Sequence, residues 1–166
     1  MKWLFLFLFS LACPATMPAG RFVPIEQTRA RIYLEPSWED ATKQPGERFR
    51  FERGVGTLRP LLVSVTAVSI SDFKTIGDVL DAREAAFGKS VVRERVVAIR
   101  VSGVPAEKRI VRLDLRGETW ATFLYGFSVD REHVVIHGFA KRHLVNESEA
   151  DFDALVAAIQ LIDMSR

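Results

Sequence analysis

Cysteine is nearly missing from this chain: Cys13 is the only one in 166 residues. A single thiol closes no intrachain disulfide and supplies no thiolate set for zinc. No apolar run approaches the ~20 residues that a membrane-spanning helix needs. No dense Lys/Arg patch interleaved with aromatics appears, and 23 basic against 21 acidic residues leave a net charge of +2, a balance that argues against nucleic-acid binding. The Gly-x-Ser-x-Gly elbow of serine hydrolases is absent, as are internal repeats and low-complexity segments. Three histidines leave little material for metal chemistry.

What is present begins at the amino terminus. Lys2 precedes an unbroken apolar run, Trp-Leu-Phe-Leu-Phe-Leu-Phe, and Ser10-Leu11-Ala12 follow with small residues. A positive start, a short apolar stretch and a small-residue end are the layout of a secretory signal peptide. The expectation is a signal peptide over residues 1–12, with cleavage as late as residue 19. A tether over residues 13–24, rich in proline, and a single domain over residues 25–166 follow. Cys13 directly after Ala12 is similar to the lipid-attachment cysteine of bacterial lipoproteins. The match is partial, because Ser10 and Leu11 stand where that pattern has Leu and a small residue. Export to the periplasm or beyond is the expected localisation, with anchoring to the outer membrane through a lipid on Cys13 as its variant. Without disulfides the domain must rest on its core, and ~150 residues suffice for one.

Residues 29–34 alternate weakly and predict a strand. Residues 47–53 alternate cleanly, Phe49 and Phe51 against Arg48, Arg50 and Glu52, as a half-buried strand does. Residues 61–70 predict another. The period then changes: Phe73, Ile76, Leu80 and Phe87 recur at helical spacing. Ser71-Asp72 offers a cap and Gly88 a stop. Gly77 within that helix predicts close packing on a sheet. Residues 91–101, 109–116, 119–129 and 133–140 predict four further strands. The last two are apolar on both parities, so both of their faces must be covered. Residues 119–129 set Trp120 and Leu124 against Ala121, Phe123, Tyr125, Phe127 and Val129. A second helix opens at Asn146 with Glu149 three residues on, a capping-box-like start. It carries Phe152, Leu155, Val156, Ile159 and Ile162 as its stripe. The order β-β-β-α-β-β-β-β-α with short turns predicts an α+β fold. Its form is a three-layer α-β-α sandwich around a largely antiparallel sheet of six to seven strands, one helix on each face.

Over residues 25–164 this order resembles the PsbP/Mog1/DcrB-like group of small domains. The resemblance rests on Pro36-Ser37-Trp38 before an aromatic strand, on the apolar runs at 120–127 and 134–139, and on the closing helix. It implies a non-catalytic binding, chaperone or accessory role, in a group with several exported or lipid-anchored members.

Candidate sites are sparse. His133 and His137 are four apart, which on a strand is about 13 Å, too far for one zinc. Arg93, Arg95, Arg100, Arg109, Arg112 and Arg116 lie on two strands that should pair. Arg93, Arg95, Arg100 and Arg112 are the candidates for holding a carboxylate or phosphate, against cross-strand pairing with Glu94, Glu107 and Asp114. Trp38 stands in a polar loop, either as a partner-binding anchor or as a cap on the core. No catalytic residue, metal ligand or cofactor is expected. The function expected is an exported binding or accessory protein that recognises a protein or a small anionic ligand. An immunity protein against a toxin acting in the periplasm and a hydrolase of unfamiliar type are the alternatives.

Overall fold

The computed structural model describes residues 19–162 except Leu58, Lys89 and Arg116; residues 1–12, expected as a signal peptide, and Cys13 lie outside the described residues. The chain runs β1 (Arg21–Pro24), β2 (Ala30–Leu34), β3 (Glu39–Asp40), β4 (Phe49–Arg53), β5 (Leu61–Ser69) and α1 (Ile76–Ala86). It continues β6 (Val91–Val101), β7 (Val104–Leu115), β8 (Glu118–Val129), β9 (Glu132–Lys141), a 3-10 turn, α2 (Val145–Ala157) and β10 (Ile159–Leu161). Seven strands form one sheet in the order β3-β4-β5-β9-β8-β7-β6, and three form a second in the order β1-β2-β10. Every pairing is antiparallel. The α+β class and the seven-stranded antiparallel sheet are those expected.

Alternation on the strands sorts side chains into two cores. Phe51, Val63, Val65, Phe123, Tyr125, Phe127, Val134 and Ile136 face α2 and the small sheet, where they meet Phe152, Leu155, Ile32 and Leu34. Val111, Leu113, Leu124 and Val135 face α1 and meet Val79 and Leu80. Two strand glycines set the depth of helix docking. A Cβ on Gly126 would lie 2.7 Å from Ile76 of α1, and one on Gly138 would lie 2.8 Å from the Phe152 ring of α2. Gly77, expected to give the close approach, has only ordinary contacts around its Cβ position; the small residues that admit the helices are on the sheet.

Three short strands escaped the sequence pattern. Residues 21–24, within the stretch read as a tether, form β1 against β2. Ile159, read as helical, starts β10, which pairs with β2 from its other side. β3, two residues long, adds to the edge at β4. The small sheet therefore shares the α2 face with α2. The caps also moved. α1 starts from a capping box between Thr75 and Asp78, and α2 follows Leu144 with no side-chain cap.

Candidate ligand-binding groove

α1 is too short to cover its face of the seven-stranded sheet. It packs on β7, β8 and β9 and leaves β4, β5 and part of β9 uncovered. The ladder places Arg50 opposite Ser64, and Ser64 opposite His137. The next row sets Glu52, Leu62 and Phe139 side by side. All point to the α1 side and floor a groove of about 630 Å³. Arg83 and Phe87, from α1 and its end, form one wall; Gln44, Pro45, Val55 and Pro60, from the loops around β4, form the other.

His137 is the chemical centre of this groove. Its ring packs 5.1 Å from Phe87 and 3.9 Å from Phe139. Nε2 is buried with no hydrogen-bond partner among the described residues, an arrangement that leaves a desolvated polar atom unsatisfied. Burial, reinforced by the Arg83 and Arg50 guanidiniums, pushes its pKa down to about 3, so the ring is neutral at physiological pH. Arg50 is held by Glu47 at 3.4 Å. Arg83 has no carboxylate within ion-pair distance among the described residues.

This has a consequence for stability. Below pH 6.5 the unfolded chain takes up a proton at His137 that the folded chain refuses until about pH 3. Folding stability must then fall as pH drops through that window. Between pH 6.5 and 4.5 the loss is on the order of 2 kcal/mol. In His137→Phe, denaturant melts over that range should be flatter by that amount.

The residues singled out by sequence lie elsewhere and do not converge. Trp38 is 3 % exposed, with the Arg53 guanidinium over its ring at 4.9 Å; it caps the core. A bulge between Arg93 and Arg95 breaks their shared parity. Arg93 turns to Asp81 and Glu84 of α1, whereas Arg95 turns to Glu149 of α2. Arg100 donates to the Gly103 carbonyl at 2.6 Å, and Arg112 lies 3.9 Å from Asp114. Arg93 and Arg95 thus staple the two helices to the sheet. Arg109, 4 % exposed, binds Asp81, Glu84 and Glu107 at 2.6, 3.0 and 2.5 Å. Burial opposes its charge, but those three carboxylates outweigh burial and hold its pKa above the ordinary arginine value. On the other face Lys108 Nζ donates to Glu149 at 2.5 Å and to Asp153 at 2.6 Å. The Tyr125 hydroxyl donates to Asp153 at 2.8 Å. Burial and that neighbouring carboxylate push the Tyr125 pKa up.

His133 is satisfied, Nδ1 by Ser128 at 2.8 Å and Nε2 by the Phe73 carbonyl at 3.0 Å. No group of metal-ligating side chains forms among the described residues. The sequence carried one signal for the groove, a lone polar ring amid strand hydrophobics at His137. It carried none for Arg83 or Ser64, whose approach depends on which strands are neighbours.

No protein-family model matches the chain, and no curated protein does. Solved structures do. Cyanobacterial PsbP (CyanoP) from Synechocystis sp. superposes with a TM-score of 0.65 at 12% identity, over 91% of this chain and 98% of that one. The Ran-binding protein Mog1p of Saccharomyces cerevisiae gives 0.60 at 12% identity, over 88% and 97%. LpqN of Mycobacterium tuberculosis, described as involved in cell envelope biogenesis, gives 0.56 at 7% identity, over 81% and 83%. The chain has a PsbP/Mog1-like fold.

Proposed function

We propose that this chain is an exported, non-catalytic binding protein that holds a small, largely apolar ligand in the groove beside α1. The observation that carries the reading is the groove itself. It is of small-molecule size, walled by Phe87, Phe139 and Trp120, and has one buried, unpartnered polar atom at His137. Binding fits this arrangement better than proton transfer does. A base with a pKa of about 3 is far from the neutral value that general-base catalysis favours. Ser64 faces His137 across the ladder, yet His137 Nε2 has no hydrogen-bond partner among the described residues. Export rests on the leader-like residues 2–12.

A protein partner is the second reading, and β6 favours it. This strand is an edge of the large sheet, eleven residues long, with Val92, Val96 and Val97 exposed by 44%, 49% and 37%. Exposed edges are pairing sites unless protected; charges and the bulge at Arg93 and Arg95 blunt the first half of this one, which leaves Val96 and Val97 as its open part. That one structural neighbour is named for binding Ran is compatible with an accessory role of this kind.

Two measurements test the first reading. Protein purified from its host's envelope, denatured and extracted, should release an apolar small molecule detectable by mass spectrometry. The Leu62→Trp variant, whose indole fills the floor of the groove, should release none. An empty wild-type protein contradicts the proposal. Amino-terminal sequencing should find the chain starting at residue 13 or later; an intact Met1 on a cytosolic pool contradicts export.

A further inference from the structure

We infer that the groove selects an anion: its ligand carries a carboxylate on an apolar body, with the head at Arg83 beside the His137 ring and the body along Leu62, Phe139 and Trp120. The inference rests on the groove being the ligand site and adds which chemistry it admits.

Three observations at the inner end of the groove converge. The first is Arg83. Neighbouring arginines that face the groove or α1 are engaged: Arg50 by Glu47, Arg93 by Glu84, and Arg109 by three carboxylates. Arg83 is half-buried, lines the groove and has no such carboxylate among the described residues. A guanidinium beside apolar surface is a strong receptor for a carboxylate, because it offers several N–H donors in one plane and is weakly hydrated.

The second is the His137 ring, which is neutral and held between Phe87 and Phe139. It lines the groove with Arg83 and adds no charge of its own, so the guanidinium is the cation that an acid head meets there.

The third is the sign of the local field. The charges that bear on the His137 ring are the Arg83 and Arg50 guanidiniums. The groove does contain two carboxylates. Glu47 is spent on Arg50, and Glu52 stands a row away, across from Leu62. A cationic head would need a carboxylate beside His137, and an uncharged head would leave Arg83 unanswered.

The test is calorimetric titration of the intact protein with octanoate, 4-butylbenzoate, octan-1-ol and octyltrimethylammonium at pH 7. The first two share the acid and distinguish an aliphatic from an aromatic body; tighter binding of either supports the inference. An acid should bind at least about tenfold tighter than the alcohol, the worth of one good charge-assisted contact. Arg83→Gln should erase that margin, weakening the acid far more than the alcohol, and Arg83→Lys should restore part of it. Arg83 has no carboxylate partner to lose among the described residues, so the variant should melt with the wild type. Equal binding of acid and alcohol, both abolished by Leu62→Trp, overturns the anion inference and leaves the groove as a ligand site. Preference for the ammonium overturns the inference as well. Binding of none of the four overturns it together with the reading of the groove on which it rests.

Discussion

Phe152→Ala should cost the fold roughly 3–5 kcal/mol in urea or guanidinium melts. The ring is 1% exposed and packs 4.9 Å from Phe123, at the point where α2 meets the middle of the large sheet. It fits there because the residue beneath it is Gly138, where any Cβ would come within 2.8 Å of the ring. Two partners of complementary size make a coupled pair, so their substitutions should not add. Gly138→Ala alone forces ring and sheet apart and should cost about 1–3 kcal/mol. With Phe152→Leu the same alanine should cost much less, since the shorter side chain vacates the space. Strict additivity in that double-mutant cycle would mean the helix is not seated on Gly138.

Arg109→Met is the second large effect, again in the range of about 3–5 kcal/mol. Removing the guanidinium strands Glu84, itself 7 % exposed, with Arg93 as its remaining partner. The penalty is mostly that of a carboxylate left in a dry site, so Arg109→Met combined with Glu84→Leu should recover much of it. The same cluster makes the α1 layer sensitive to acid. The Arg109 hydrogen bond holds the Asp81 pKa below its ordinary 3.8, against the opposing effect of burial. On the α2 face burial is likewise outweighed at Glu149, where Arg95 and Lys108 hold the pKa down. For a depressed carboxylate the stabilisation is present above its unfolded pKa and is lost as pH falls through the folded one. Both staples should therefore release below about pH 4, after the His137 contribution has already declined from pH 6.5.

Much of this architecture was legible in residue alternation. The split of β8 into Trp120 and Leu124 against Phe123, Tyr125 and Phe127 is the division between the two cores. The two-sided apolarity of β8 and β9 follows from their position at the centre of the sheet. β1 and β10 were illegible because four and three residues are too few to show a period. Their pairing to β2 comes from tertiary placement. Where Arg93 and Arg95 point was not legible for a definite reason: a bulge is invisible to parity, and one extra residue sends the two cations to opposite helices. Trp38, standing among polar neighbours, reads equally as anchor or cap until Arg53 is seen over its ring. The groove was least legible. It exists because an eleven-residue helix covers only part of a seven-stranded face, and the length of a helix relative to the width of its sheet is not written locally. Ser64 and His137, 73 positions apart, become neighbours only through the antiparallel pairing of β5 with β9.

The most direct test of the account is nitrogen-15 NMR of the His137 imidazole at pH 7 as octanoate is added, with the free protein titrated down to pH 4. The account predicts a ring that stays neutral throughout the acid titration and an Nε2 resonance that shifts and saturates with ligand. A ring that titrates near pH 6.5, or an Nε2 resonance that ignores every concentration of ligand, would contradict it.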